Sequence, residues 1–227
     1  MSLTQEFNAW QDGYTEKILR WVPHYEQLLG SVADCLPPGF APKRILDLGC
    51  GNGNGTALLM SRFPDAQFTL LDASDEMIAA CRERFLDRPD TNYLQCFFQE
   101  ADFPAASFDL VVAVLALHHL PGPEKQALFP RICHWLMPGG ILTYSDLFAD
   151  KTAPDYAHTV IASWQDWALS HGTPESEWEC LMDHHSKYDF PDALDEQENW
   201  LKNAGFATVQ TVWQGGYWAN VQAGVGE

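Results

Sequence analysis

Basic residues are scarce in this chain, where 13 Lys and Arg stand against 31 Asp and Glu in 227 residues, for a formal charge of −18. Such a charge repels a phosphate backbone, and Lys43 and Arg44 form the only adjacent basic pair, so no long nucleic acid is expected as a partner. Long apolar runs are also missing. No stretch of about eighteen apolar residues occurs, which excludes a membrane-spanning helix. The opening MSLTQEFNAWQDGY lacks the basic-then-apolar order of a secretory leader, and a cytoplasmic protein without a membrane partner is expected. The six cysteines, at 35, 50, 81, 96, 133 and 180, include no C-x-x-C pair, so free thiols are expected rather than disulfides or zinc. Internal repeats and low-complexity runs are absent.

What is present is enough for one core, because 46% of the residues are apolar. Up to about residue 13 the chain is polar and expected to be loose. From Tyr14 to Ala33 the apolar spacing is helical, interrupted at Pro23, so a short helix is expected on each side of it. From residue 44 onward, strands such as RILDLG, QFTLLD and FDLVVAVLA alternate with amphipathic helices. Each strand is nearly continuous in apolar residues, the mark of a parallel sheet covered on both faces. This predicts a doubly wound α/β domain. The tail differs: FATVQTVW, QGG and YWANVQA read as a hairpin about a glycine turn.

The stretch RILDLGCGNGNGTALL places glycine at 49, 51, 53 and 55, where the first strand turns into a helix. Repeated glycine there indicates positive φ or a backbone that a ligand approaches closely. In an open α/β sheet that turn lies at the carboxyl edge, where ligands bind. The dinucleotide pattern G-x-G-x-x-G fits poorly, since its third glycine falls on Asn54, and a nicotinamide reductase is the weaker reading.

With Asp47 included, this turn resembles motif I of class I S-adenosylmethionine-dependent methyltransferases, and further motifs follow in order over residues 40 to 147. The resemblance implies a mainly parallel seven-stranded sheet with an antiparallel C-terminal strand and S-adenosylmethionine as cofactor. It implies that Asp47, Gly49, Cys50, Gly51, Asn52 and Gly53 line the aminocarboxypropyl end, with Cys50 chosen for size. FTLLDASDEMI is similar to motif II, so Asp72 would accept the ribose hydroxyls, with Ala73 and Met77 beside it. FFQEADF resembles the adenine turn, with Asp102 on the exocyclic amine and Phe103 near the ring. SFDLVVAVLALHHL resembles the fourth strand and its loop, which places Val114 and Leu115 against the cofactor. Asp72 by itself equally suits a helix start.

Methyl transfer needs an acceptor in line with the sulfonium, shielded from water, and sometimes a base. His118, His119 and Asp146 are the candidates, since they follow the fourth strand or end the fifth. The alternative is that the histidines cap the strand and pack beside the cofactor. The connection from 149 to 192 is rich in aromatic and imidazole groups, and Trp164, Trp178, His184 and Tyr188 are expected to face the acceptor. Trp164 and Trp167 would share a helix face, which equally suits core packing. Cys180, Asp183, His184 and His185 have ligand chemistry, but adjacent histidines on a helix diverge, so no metal is expected.

Both ends of the chain, ILRWVPHYEQLL and LDEQENWLKNAGFATVQTVWQGGYWANV, look like segments of enzymes related to carboxy-S-adenosylmethionine synthase, which acts in tRNA modification. The resemblance implies that Tyr25 closes over the cofactor. It also implies a cap arginine for the extra carboxylate, yet no arginine occurs from 149 to 227, which favours ordinary methyl transfer. The expected organisation is an N-terminal helical segment over the cofactor (1–39), a cofactor-binding core (40–148), a helical substrate cap (149–192) and a C-terminal helix with hairpin (193–227). A methyltransferase for a small neutral or cationic acceptor is expected. The alternatives are a non-catalytic cofactor-binding partner subunit and a tRNA-modification-related enzyme using a modified cofactor. A homodimer is left open.

Overall fold

The computed structural model describes residues 13–226, so the expectation of a loose chain up to residue 13 lies almost entirely outside the described residues. Pro23 divides the first helical stretch as expected, into α1 (Tyr14–Trp21) and α2 (Tyr25–Asp34). The alternating part follows: β1 (Arg44–Leu48), α3 (Asn54–Arg62), β2 (Gln67–Asp72), α4 (Asp75–Arg84), β3 (Asn92–Gln95), β4 (Phe108–Val114), α5 (Gly122–Trp135) and β5 (Leu136–Leu147). After β5 come a π-helical turn over Ala157–Ile161, α6 (Ala162–Ser170), α7 (Glu175–Tyr188) and α8 (Leu194–Asn203). The hairpin β6 (Thr208–Gly215) and β7 (Trp218–Gly224) ends the fold.

One seven-stranded sheet runs in the order β3-β2-β1-β4-β5-β7-β6. The first five strands are parallel, and β7 is antiparallel to both β5 and β6. This is the doubly wound α/β architecture. Alternate residues of each central strand serve opposite faces: Leu46 and Val111 pack toward α5 and α8, whereas Ile45 and Leu110 pack toward α3 and α4. Two layers of helix are needed because the strands are apolar on both sides. The strand order reverses between β1 and β4, so their carboxyl ends open a crevice there.

Strand β5 starts earlier than the apolar run GILTYSDLF suggests. Leu136 already pairs with Phe108, and the register then jumps to Leu110 with Ile141. The intervening Met137-Pro138-Gly139-Gly140 is a bulge, where proline can donate no ladder bond.

A third core differs from the sheet cores. Ile18, Trp21 and Leu28 of the N-terminal helices pack with Trp164, Trp178 and Leu181 of the 149–192 segment and with Trp218 of β7. Each such burial contributes about 1.5–3 kcal/mol. Segment 149–192 therefore shares its core with α1 and α2 and is not a separately packed layer.

Candidate functional site

A cavity of about 280 Å³ opens at the β1/β4 crevice. Its floor is the glycine turn. Gly49, Gly51 and Gly53 all have positive φ, at 74°, 50° and 83°. Their surroundings differ, however. A Cβ on Gly49 would lie 2.5 Å from that of Ala116, and one on Gly53 2.7 Å from the Phe85 ring, whereas one on Gly51 would meet nothing within 4 Å. Gly49 and Gly53 are thus required by the protein's own packing. Gly51 is the residue whose missing side chain leaves the cavity open.

Asp72 fastens this turn from β2. Its Oδ2 accepts from the Gly51 amide and its Oδ1 from the Ser74 amide, both at 2.9 Å. Burial raises its carboxyl above the ordinary range, while the amide bonds from Ser74, Gly51 and Ala73 oppose that rise. Ser74, not Asp72, caps α4, accepting from Met77 N at 3.1 Å. Asp47 is buried below, accepts from Thr56 Oγ1 at 2.5 Å, and is pushed up to about 6 by burial. Over the rim, Tyr25 OH accepts from Asn54 Nδ2 at 3.2 Å.

Of the residues expected around the cofactor, Tyr25, Asp47, Gly49, Cys50, Gly51, Asn52, Asp72, Ala73, Met77, Val114 and Leu115 all line this cavity. Three do not. Gly53 is turned against Phe85 and Cys81. Asp102 is exposed, and Phe103 packs edge-on against Phe108 and Trp135 at 5.0 and 5.1 Å. The reason is a turn just after β3, where the Glu100 and Ala101 amides both donate to Phe97 O. That turn puts Cys96, Phe97, Phe98 and Gln99 on the cavity wall instead and carries Asp102 outward. Tyr14, which sequence patterning treated only as a helix start, is also on the wall.

A smaller chamber of about 50 Å³ adjoins the first and shares Tyr14, Leu115 and His119 with it. Leu115 sits at φ 52°, an uncommon conformation for a side-chain-bearing residue, at the end of β4. The chamber is apolar on the side of Ile18, Trp21, Leu147 and Trp164, and polar on the side of His118, His119, His184 and Asp189. Of the four residues expected to face an acceptor, Trp164 and His184 line this chamber. Trp178 and Tyr188 do not: Trp178 is buried edge-on against Trp164 at 5.6 Å, and Tyr188 offers its carbonyl to His119 Nδ1 at 3.2 Å. Trp167 instead stacks on His171 at 3.8 Å.

The polar wall converges on Asp189, a residue the sequence patterning passed over. His119 Nδ1 and His184 Nε2 lie 3.2 and 3.4 Å from its Oδ1, His118 Nε2 lies 3.6 Å away, and His185 Nδ1 is 2.8 Å from Oδ2. Adjacent histidines do diverge on α7, yet His184 and His185 reach different oxygens of one carboxylate because Asp189 folds back as the helix ends. Lys151 Nζ fixes that end by donating to His185 O at 2.8 Å and Asp189 O at 2.6 Å. Asp146 accepts from the His118 ring at Nδ1 and from the His118 amide at 3.0 Å. Burial opposes protonation of His118, but Asp146 and Asp189 outweigh it and raise its pKa. Burial and the neighbouring His118 lower the pKa of His119, so that ring stays neutral. Burial would raise the Asp189 carboxyl, but the surrounding imidazoles hold it well below the ordinary range.

Comparison with known proteins agrees with this geometry. Residues 45–140 match the family model described as a methyltransferase domain. The chain is 42% identical to a trans-aconitate 2-methyltransferase of Acidovorax sp. (strain JS42) over 103 residues, 45% of this chain and 37% of that protein. It is 33% identical to the Escherichia coli (strain K12 / DH10B) protein of the same name over 149 residues, 64% of this chain and 53% of that one. The chain thus spans about half the length of these relatives or less. Among solved structures, human N-acetylserotonin methyltransferase in complex with SAM superposes with a TM-score of 0.65 at 18% identity, over 99% of this chain and 56% of that one. An S-adenosylmethionine dependent methyltransferase from Mesorhizobium loti gives 0.62 at 22% identity, over 86% of this chain and 95% of that one. Residues 45–140 thus carry a methyltransferase domain, and the fold is shared with solved S-adenosylmethionine-dependent methyltransferases.

Proposed function

We propose that this protein moves the methyl group of S-adenosylmethionine to a small acceptor held in the apolar chamber. The observation that carries this reading is the confluence of two cavities at the β1/β4 crevice, with Leu115 and His119 at the junction. The cradle suits the cofactor. Gly51 leaves room for it, each Asp72 oxygen keeps a lone pair for a ribose hydroxyl, and Asp47 lies where an amino group would be neutralised directly or through water. Phe97, Phe98 and Gln99 are the residues for the adenine end, and Tyr25 with the described residues 13–39 forms the cover. The cofactor supplies an electrophilic methyl on a sulfonium.

The chain supplies position and proton handling. With its Nδ1–H given to Tyr188 O, neutral His119 carries its lone pair on Nε2 and takes the acceptor's proton there. Asp146 orients His118 and acts through it. No Lys or Arg is among the described residues lining the chamber, which holds Asp189 instead. A polycarboxylate such as the trans-aconitate in the relatives' name would be repelled here, so the acceptor is neutral or cationic. A cytoplasmic setting and a homodimer are compatible with this reading; no described helix is long and apolar enough to cross a membrane.

The test is calorimetry with S-adenosylmethionine and S-adenosylhomocysteine, followed by incubation with methyl-labelled cofactor and panels of small amines, phenols and carboxylates. Tight cofactor binding with label moving to an amine or phenol supports the proposal. Failure to bind either cofactor form, or transfer to carboxylates alone, overturns it.

A further inference from the structure

We propose that His118, His119 and Asp189 form a binding site for a divalent transition-metal ion, open toward the acceptor chamber. Ring nitrogens of both histidines and a carboxylate oxygen of Asp189 lie within 4.8 Å of one another. The separations to Asp189 Oδ1 are 3.2 Å from His119 Nδ1 and 3.6 Å from His118 Nε2. Bonds of about 2.0–2.1 Å in a tetrahedral site give an edge of about 3.4 Å between ligand atoms, which these values straddle.

A second observation is independent of that spacing. Asp189 Oδ1 accepts no hydrogen bond of normal geometry among the described residues, although Asp189 is only 4% exposed. What offsets the cost of burying this oxygen is the ring of imidazole nitrogens around it. Nitrogen atoms surround it at more than hydrogen-bonding ideal, and His184 Nε2 adds a third at 3.4 Å.

The groups behind the histidines point the same way. The buried carboxylates of Asp146 and Asp189 face the two ring nitrogens of His118, and Lys151 Nζ lies at the Asp189 carbonyl. His118 donates Nδ1–H to Asp146, which leaves Nε2 as the ligand atom, the carboxylate–histidine–metal arrangement that fixes tautomer and ring angle. His119 must shift its proton from Nδ1 to Nε2 and release Tyr188 O to bind the ion. Ion loading and base action by His119 therefore exclude each other.

Two histidines and one carboxylate leave open positions, as catalytic rather than structural sites do. Those positions face the chamber, where an ion would acidify a hydroxyl or thiol. That consequence rests on the proposed methyl transfer; ion binding itself does not.

Untagged, chelator-treated full-length protein should take up a single Co²⁺ or Zn²⁺ per chain in equilibrium dialysis, with a cobalt spectrum of nitrogen and oxygen ligands. Asp189→Asn and His118→Gln should abolish stoichiometric uptake, and Asp146→Asn, which frees the His118 ring, should weaken it about 10–100-fold. His158→Gln, an exposed histidine, should bind as the parent does. Circular dichroism of each variant establishes its fold. No uptake by the parent protein overturns the proposal, whatever the variants do. So does uptake that survives His118→Gln, or a thiolate charge-transfer band, which would place the ion at Cys50 and Cys81, 3.9 Å apart at their sulfurs. Methyl transfer that proceeds without any ion uptake would sink this inference and leave the proposed function standing.

Discussion

The amide of Gly51 donates to Oδ2 of Asp72 at 2.9 Å, tying the turn after β1 to the end of β2. One carboxylate thereby shapes the glycine turn and, through its other oxygen, the start of α4 at Ser74. Replacing Asp72 by Asn puts an amide donor against one of two backbone donors. Cofactor affinity is expected to fall by about 1–3 kcal/mol in Asp72→Asn, since a charge-assisted bond is lost and a donor is misplaced. Asp102→Asn, at an exposed site away from the cavity, should change affinity by less than about 0.5 kcal/mol. Parallel calorimetry of both variants separates the two carboxylates.

Gly51 and Gly49 should fail in different ways. Gly51→Val is expected to fold, with a strain of about 1–3 kcal/mol from its positive φ, and to lose cofactor binding because the side chain fills the cavity. Gly49→Ala meets Ala116 and should lower the unfolding midpoint. Thermal melts with and without cofactor distinguish the two, and a Gly51→Val protein that binds normally would remove the turn from the site.

Asp47 makes stability depend on pH. Its folded carboxyl, pushed up to about 6 by burial, lies above the ordinary aspartate value of 3.8, so the folded state favours the protonated form. The stability this provides is fully present below pH 3.8 and is lost as pH rises through about 6, a change of about 3 kcal/mol at 1.36 kcal/mol per unit. Urea unfolding of the parent and of Asp47→Asn at pH 5 and pH 8 should show the parent losing more stability across that interval. Equal losses would show that the carboxyl titrates alike in both states.

Trp164 joins the N-terminal helices to the 149–192 segment. Its Nε1 donates to Trp21 O, and its ring meets Trp178 and Trp218 edge-on at 5.6 and 5.4 Å. Trp164→Ala should cost about 3–5 kcal/mol of stability. Cofactor affinity should drop with it, because α1 carries Tyr14 on the cavity wall. If affinity is untouched, the segment is a separable cover.

Much of this fold was legible in the chain because its signals are local. Apolar strands such as RILDLG can only be buried on both faces, Pro23 divides a helix through its own covalent ring, and QGG closes a hairpin. The glycine turn and Asp72 were legible for the same reason, since position at a strand end fixes their place at the carboxyl edge. Asp102 and Phe103 were misplaced because their location depends on a turn at Phe97 whose length no periodicity records.

By itself the sequence determined the parallel sheet, the location of the crevice and the residues that shape its floor, because strand patterning and backbone freedom act within a few residues. Only the tertiary structure decided that His118 and His119 meet Asp189, some 70 positions later, and that Asp146 holds the His118 ring. Such a cluster has no local signature. It exists because α7 ends over the carboxyl edge, anchored by Lys151 and by Phe190 N donating to His118 O, and burial with through-space electrostatics then raises the pKa of His118 and lowers those of His119 and Asp189.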